Sequence, residues 1–144
     1  MNFKKYLALA APLLLGACAI HQKVQPVAQF SAQEICVIEN TAVRASFLEA
    51  YQRALAAQGY TVRRLGSSAS VNDCSVTSTY SASWRWDLAL YMAYADLKNY
   101  HQGVLAGSAN YDAMRGGGNM GKFIDADQKI TELTQQLLPA RTGL

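Results

Sequence analysis

SVTSTYSASWRWDLALYMAYADL, residues 75–97, is the stretch whose reading decides the fold. Val76, Tyr80, Ala82 and Trp84 fall on one side of an extended chain, and Thr77, Thr79, Ser81 and Ser83 on the other. That period of two marks a half-buried strand over 75–86. Apolar character then resumes from Leu88 to Leu97, with Leu88, Leu90, Met92 and Tyr94 on one face and Ala89, Tyr91, Ala93 and Ala95 on the other. One strand through both halves is far too long. A reversal near Arg85-Trp86-Asp87 is the simplest solution, although that tripeptide has no Gly or Pro. The NYHQG run at 99–103 reads as the next hairpin loop, and Val104 to Asp112 as another strand. The small residues and Gly107 in that strand predict a close approach of backbone or side chain.

Upstream, ICVIE at 35–39 is a short and nearly continuous apolar run, as in a buried strand. Asn40 or Thr41 offers an N-cap. Val43, Phe47, Tyr51, Ala54 and Leu55 then recur at helical spacing, with Gly59 placed to end the helix in the left-handed region. Tyr60 to Leu65 reads as a second strand, and its short connections favour a parallel pair. Residues 66–73 form a loop by composition, and RGGGNMG at 115–121 reads as a flexible connection. A closing helix over about 122–138 presents Phe123, Ala126, Ile130, Leu133 and Leu137, and Pro139 ends it. The order is β-α-β-β-β-β-α. It predicts an α+β fold with two layers: about five strands in a mixed sheet and two helices on one face.

The N-terminus carries Lys4 and Lys5, then an apolar run from Tyr6 to Leu15, too short to span a bilayer. It ends in Leu15-Gly16-Ala17-Cys18 and reads as a secretory signal. The last four residues resemble the processing pattern of bacterial lipoproteins. That resemblance implies removal of residues 1–17 and acylation of Cys18, a membrane anchor carrying more than one acyl chain. Residues 18–33 have no clear period, and Pro26 breaks their middle, so they read as a flexible tether reaching roughly 50 Å. Residues 34–139 make one globular domain and 140–144 a tail.

Charged residues are 16% of the chain and hydrophobic ones 51%, the balance of a folded domain. Loss of Lys4 and Lys5 leaves 11 basic residues against 10 acidic ones, a net charge of +1 in place of +3. With no basic block, nucleic acid is not an expected partner. Beyond Cys18 the cysteines are Cys36 and Cys74, a pair in a compartment expected to be oxidising. Compartment and pairing favour a disulfide over a buried thiol and an unrelated loop thiol, and imply that the strands carrying them are neighbours.

Catalytic motifs fail in turn. GGGNMGK at 116–122 resembles a phosphate-binding loop, but Phe123 stands where a Mg²⁺-binding hydroxyl is needed. His21 and His101 are the only histidines, and no G-x-S-x-G run exists. Two distant histidines and two paired cysteines give no metal-ligand spacing. Asp125 and Asp127 suit a helix start. The expectation is no catalytic residue, no metal and no cofactor. Aromatic residues crowd the three central strands. Tyr80 and Trp84 match the buried face, whereas Trp86 and Tyr100 at turns, and Tyr91 if the second face is open, are candidates for a partner surface.

Across nearly all of the chain beyond Cys18 the sequence resembles a family of small Gram-negative envelope lipoproteins of uncharacterised function. The resemblance rests on ICVIEN (35–40), FLEAYQRAL (47–55), SWRWDLALYMAYADL (83–97), GSANYD (107–112) and KFIDADQKI (122–130). It brings no activity. In architecture alone the order also resembles lipoproteins that dock onto larger envelope machines, such as activators of peptidoglycan synthases and the curli-secretion lipoprotein. In lipoprotein sorting an Asp after the acylated Cys retains a protein at the inner membrane. Ala19 here implies the outer membrane, on the periplasmic leaflet. The expected function is a non-enzymatic binding or scaffold module, anchored through Cys18, whose partner is an envelope protein or cell-wall component. The alternatives are a small periplasmic hydrolase built on His101, or a purely structural lipoprotein.

Overall fold

The alternation at 75–97 resolves into two long strands of one hairpin, and the rest of the sheet is assembled on either side of it. The computed structural model describes residues 19–28 and 31–141, so the signal segment and Cys18 lie outside the described residues. The strands are β1 (His21–Gln25), β2 (Glu34–Ile38), β3 (Thr61–Leu65), β4 (Val76–Asp87), β5 (Ala89–His101) and β6 (Val104–Asp112). Helices α1 (Ala45–Ala57) and α2 (Ala126–Leu137) complete an α+β fold, with a short 3₁₀ turn at Met120–Phe123. The sheet order is β1-β6-β5-β4-β2-β3. It is mixed: β2 runs parallel to both β3 and β4, and all other pairs are antiparallel.

Six strands stand where about five were expected, and the extra one corrects the tether. His21–Gln25 pairs antiparallel with Asp112–Ser108 at the edge of the sheet. Gln22 then donates to Glu132 and accepts from Lys129, both on α2. Hydrogen bonds from Lys129 first, and from Gln22, hold the Glu132 carboxyl below its ordinary value. Just beyond β1, Val27 is buried and its N–H donates to the carbonyl of Leu137. HQKVQ shows no strand period because Val24 is its only apolar residue; its partners lie some ninety residues away.

Both helices cover one face of the sheet. Phe47, Leu48, Tyr51 and Leu55 of α1 and Ile130, Leu133 and Leu137 of α2 meet Ile35, Val37, Val76, Tyr80, Leu97 and Tyr111 in one apolar core. Arg53 and Asp127 pair across the two helices at the surface. The Tyr51 hydroxyl shares a 2.7 Å hydrogen bond with Ser78 beneath α1, and burial pushes its pKa up. The expected cap is displaced: α1 starts at Ala45, and Asn40 instead accepts the Ala42 N–H and donates its side-chain amide to the Tyr80 carbonyl. Gly59 does take the left-handed conformation after the helix, at φ 93°. At the start of α2, Asp125 accepts the Gln128 N–H.

Cys36 and Cys74 form a disulfide, with Cα atoms 6.3 Å apart, on the sheet face opposite the helices. The parallel pairing of Cys36 beside Thr77 supplies the expected adjacency. The close approach at Gly107 is also present. A Cβ there would lie 2.7 Å from the Gln25 carbonyl oxygen and 2.9 Å from the Val27 nitrogen. Because both are backbone atoms, Gly107→Ala should push β1 off β6. A loss of about 1–3 kcal/mol is expected in chemical denaturation, with faster amide exchange confined first to residues 22–25. Unchanged stability would refute the contact.

Candidate functional site

The β4–β5 hairpin extends past the helices as a finger, and its shape follows from one bulge and one strained residue. Ser83 faces Tyr94 but Trp84 faces Met92, so Ala93 is an extra residue on β5. The bulge reverses the alternation of β5. Met92 before it and Ala95 and Leu97 after it all serve the helix-covered face, which is why residues 88–97 read as apolar on both sides. Beyond the bulge, Trp84 still packs edge-on against Phe47, with the Arg44 guanidinium over its ring. Trp86, two residues on, is 74% exposed and lies opposite Leu90, which is 46% exposed.

The reversal falls at Leu88, between the paired Asp87 and Ala89. Leu88 has φ 61° and is 90% exposed. A non-glycine residue held in the left-handed region costs about 1–2 kcal/mol, and a wholly exposed leucine regains none of it by burial within this chain. Such strain at an exposed apex points to function.

The finger is clamped just behind its apex. Lys122 is buried; its ammonium donates to the Asp87 carboxylate and the Gly117 carbonyl and lies over the rings of Tyr91 and Phe123. The glycine-rich run that resembled a phosphate loop therefore turns its lysine inward, with Gly117 in the left-handed region. Met120, two residues before Lys122, is 73% exposed. Ile20, ahead of β1, reaches the same 3₁₀ turn, its Cδ1 lying 3.5 Å from where a Cβ on Gly121 would sit.

The three candidate surface residues do not come together. Trp86 is on the exposed finger. Tyr91 is only 8% exposed, which corrects its placement as a surface residue: it lies edge-on to Phe123, part of a segment read from sequence as a mobile loop and helix start. Tyr100 is partly buried nine residues further along β5, about 30 Å away at strand rise. His101 stands at that far end and His21 on β1 is in register with Asp112, so they occupy different ends of the sheet. Shallow clefts are lined by Glu49, Gln52, Arg53, Ala56 and Val62, by Ile38, Asn40, Thr41, Ser67 and Tyr80 among others, and by α2 residues from Asp127 to Gln135; His101 lines none of these three. Glu34, Cys36 and Cys74 cluster within 4.8 Å, but both sulfurs are committed to the disulfide, and Arg63 donates to each of them while pairing with Glu34.

What sequence reasoning missed is the convergence at one end of the sheet. His21 opens β1 beside Asp112, the last residue of β6, so the chain enters the sheet at the same end as the finger. No helix among the described residues is long and apolar enough to cross a membrane.

The chain matches no family model and no curated protein. Among solved structures it is similar to PelC from Paraburkholderia phytofirmans, a dodecamer, with a TM-score of 0.59 and 13% identity over 81% of this chain and 98% of that one. A point variant of the same PelC dodecamer in another crystal form gives a TM-score of 0.58 and 12% identity over 83% of this chain and 98% of that one. At such identities the likeness is one of fold, and fold alone carries no function.

Proposed function

We propose that this protein is an outer-membrane lipoprotein, anchored through acyl chains on Cys18 and facing the periplasm, that acts as a non-enzymatic binding or scaffold module. The observation that carries this reading is the entry of the chain into the sheet three residues after Cys18, at the end bearing an exposed Trp86, Leu88 and Leu90. A surface of that kind serves contact rather than catalysis. The dodecameric state of the PelC structures that share this fold supports the scaffold half of the proposal.

Cys18→Ser tests the anchor. Labelling with a radioactive fatty acid should vanish, and the uncleaved precursor should accumulate. Labelling that persists in the variant overturns the reading.

A further inference from the structure

The anchored end of the sheet is bound by a simple geometric constraint. His21, Asp112, Tyr94 and Ser83 lie at one level across β1, β6, β5 and β4. From Ser83 the finger runs five residues further to Leu88, a projection of about 16 Å past that level at strand rise. On the same side, Cys18 is three residues from His21, a reach of at most about 11 Å for a fully extended chain. The finger is therefore longer than the leash. With the sheet standing on this end, an acylated Cys18 at the bilayer surface puts the tip within reach of the membrane.

The chemistry of the tip fits that position. Its apex, Leu88, is apolar, exposed and strained, and Trp86 and Leu90 stand just behind it. Met120 lies beside the same clamp, two residues from Lys122. Asp87, the one acidic residue of the tip, is paired with Lys122. The exposed Arg85, next to Trp86, and the exposed Arg115, on the loop after β6, lie at this end as well; Asp112 there accepts the Met114 N–H. Tryptophan favours the level of the lipid headgroups, and arginine is attracted by anionic phosphates.

We infer that the β4–β5 finger is a membrane-seating element: Trp86, Leu88 and Leu90 enter the headgroup–acyl boundary of the leaflet that holds Cys18 and set the orientation of the domain. This rests on the lipoprotein reading above and names the bilayer as the partner of its exposed aromatic end.

The acylated protein with Trp84→Phe, which leaves Trp86 as the sole tryptophan, is reconstituted in vesicles of phosphatidylethanolamine and phosphatidylglycerol carrying a nitroxide at a shallow or a deep acyl position. Amphipathic elements of this kind bury roughly 5–10 Å into the boundary, so the shallow nitroxide should quench Trp86 strongly, the deep one weakly, and the emission should shift to the blue. Leu88→Gly removes the apex and suits the positive φ, so it should weaken the quenching without lowering the melting temperature. The mass of the purified protein reports acylation separately. If Cys18 carries no lipid, the anchor reading fails, and residues 18–144 coupled through Cys18 to a maleimide lipid still test the finger. Quenching in that conjugate supports seating. An unquenched Trp86 on an anchored protein overturns it, whether the tip is then found in water or against a second copy.

Discussion

Phe47→Ala should destabilise the protein by about 3–5 kcal/mol, the range for deleting a buried aromatic ring. Phe47 is almost wholly buried on α1. Its ring is stacked on Tyr80 at 5.2 Å, meets Trp84 edge-on at 6.3 Å and is tilted towards Tyr51 at 6.5 Å. The four rings come from two elements far apart in the chain: Phe47 and Tyr51 on α1, Tyr80 and Trp84 on β4 at the root of the finger. Alanine there leaves a cavity that the stiff sheet cannot close, and the loss of dispersion contacts adds to the transfer term. The midpoint of urea denaturation should fall with little change in slope. Glu49→Ala, two residues away on the exposed side of α1, should stay within about 0.5 kcal/mol of the parent. Equal effects of the two substitutions would refute the assigned packing.

Cys36→Ala with Cys74→Ala should cost about 2–4 kcal/mol. The disulfide spans a sequence separation of 38 residues and ties the middle of β2 to the loop that leads into β4. That loop, with α1 and β3, lies inside the closed ring, so the unfolded chain gains the freedom of the whole segment when the bridge is removed. A reductant should lower the melting temperature of the parent towards that of the double variant and leave the variant unaffected. A parent insensitive to reductant, once its thiols are shown to be free, would remove the disulfide from the account of stability.

Local pattern and tertiary context divided the work in a way that individual residues show. The alternation of 75–86, the stripes of both helices, the turn at Gly59 and the tight approach at Gly107 were legible, because each depends on neighbours in the chain or on the size of one side chain. The disulfide was legible from cysteine parity, and the adjacency of β2 and β4 followed from it. The reversal was anticipated near residues 85–87 and occurs at Leu88. No local signal could have placed it there, since a leucine at positive φ violates ordinary turn chemistry and is held by the pairing of Asp87 with Ala89 and by the Lys122 clamp. The same clamp turned the glycine-rich run from a nucleotide-loop resemblance into a structural latch.

By itself, the amino-acid sequence determined the α+β class, the order of the central elements and the exposed chemistry of Trp86, because periodicity and composition act over a few residues at a time. Only the tertiary structure decided that HQKVQ is a strand, that Tyr91 is buried, and that the finger and the start of the chain share one end of the sheet. Those outcomes come from pairing across the sheet between His21 and Asp112, and from packing across some thirty residues between Tyr91 and Phe123. Contacts of that kind form only once the core has brought distant segments together, so no local window contains them.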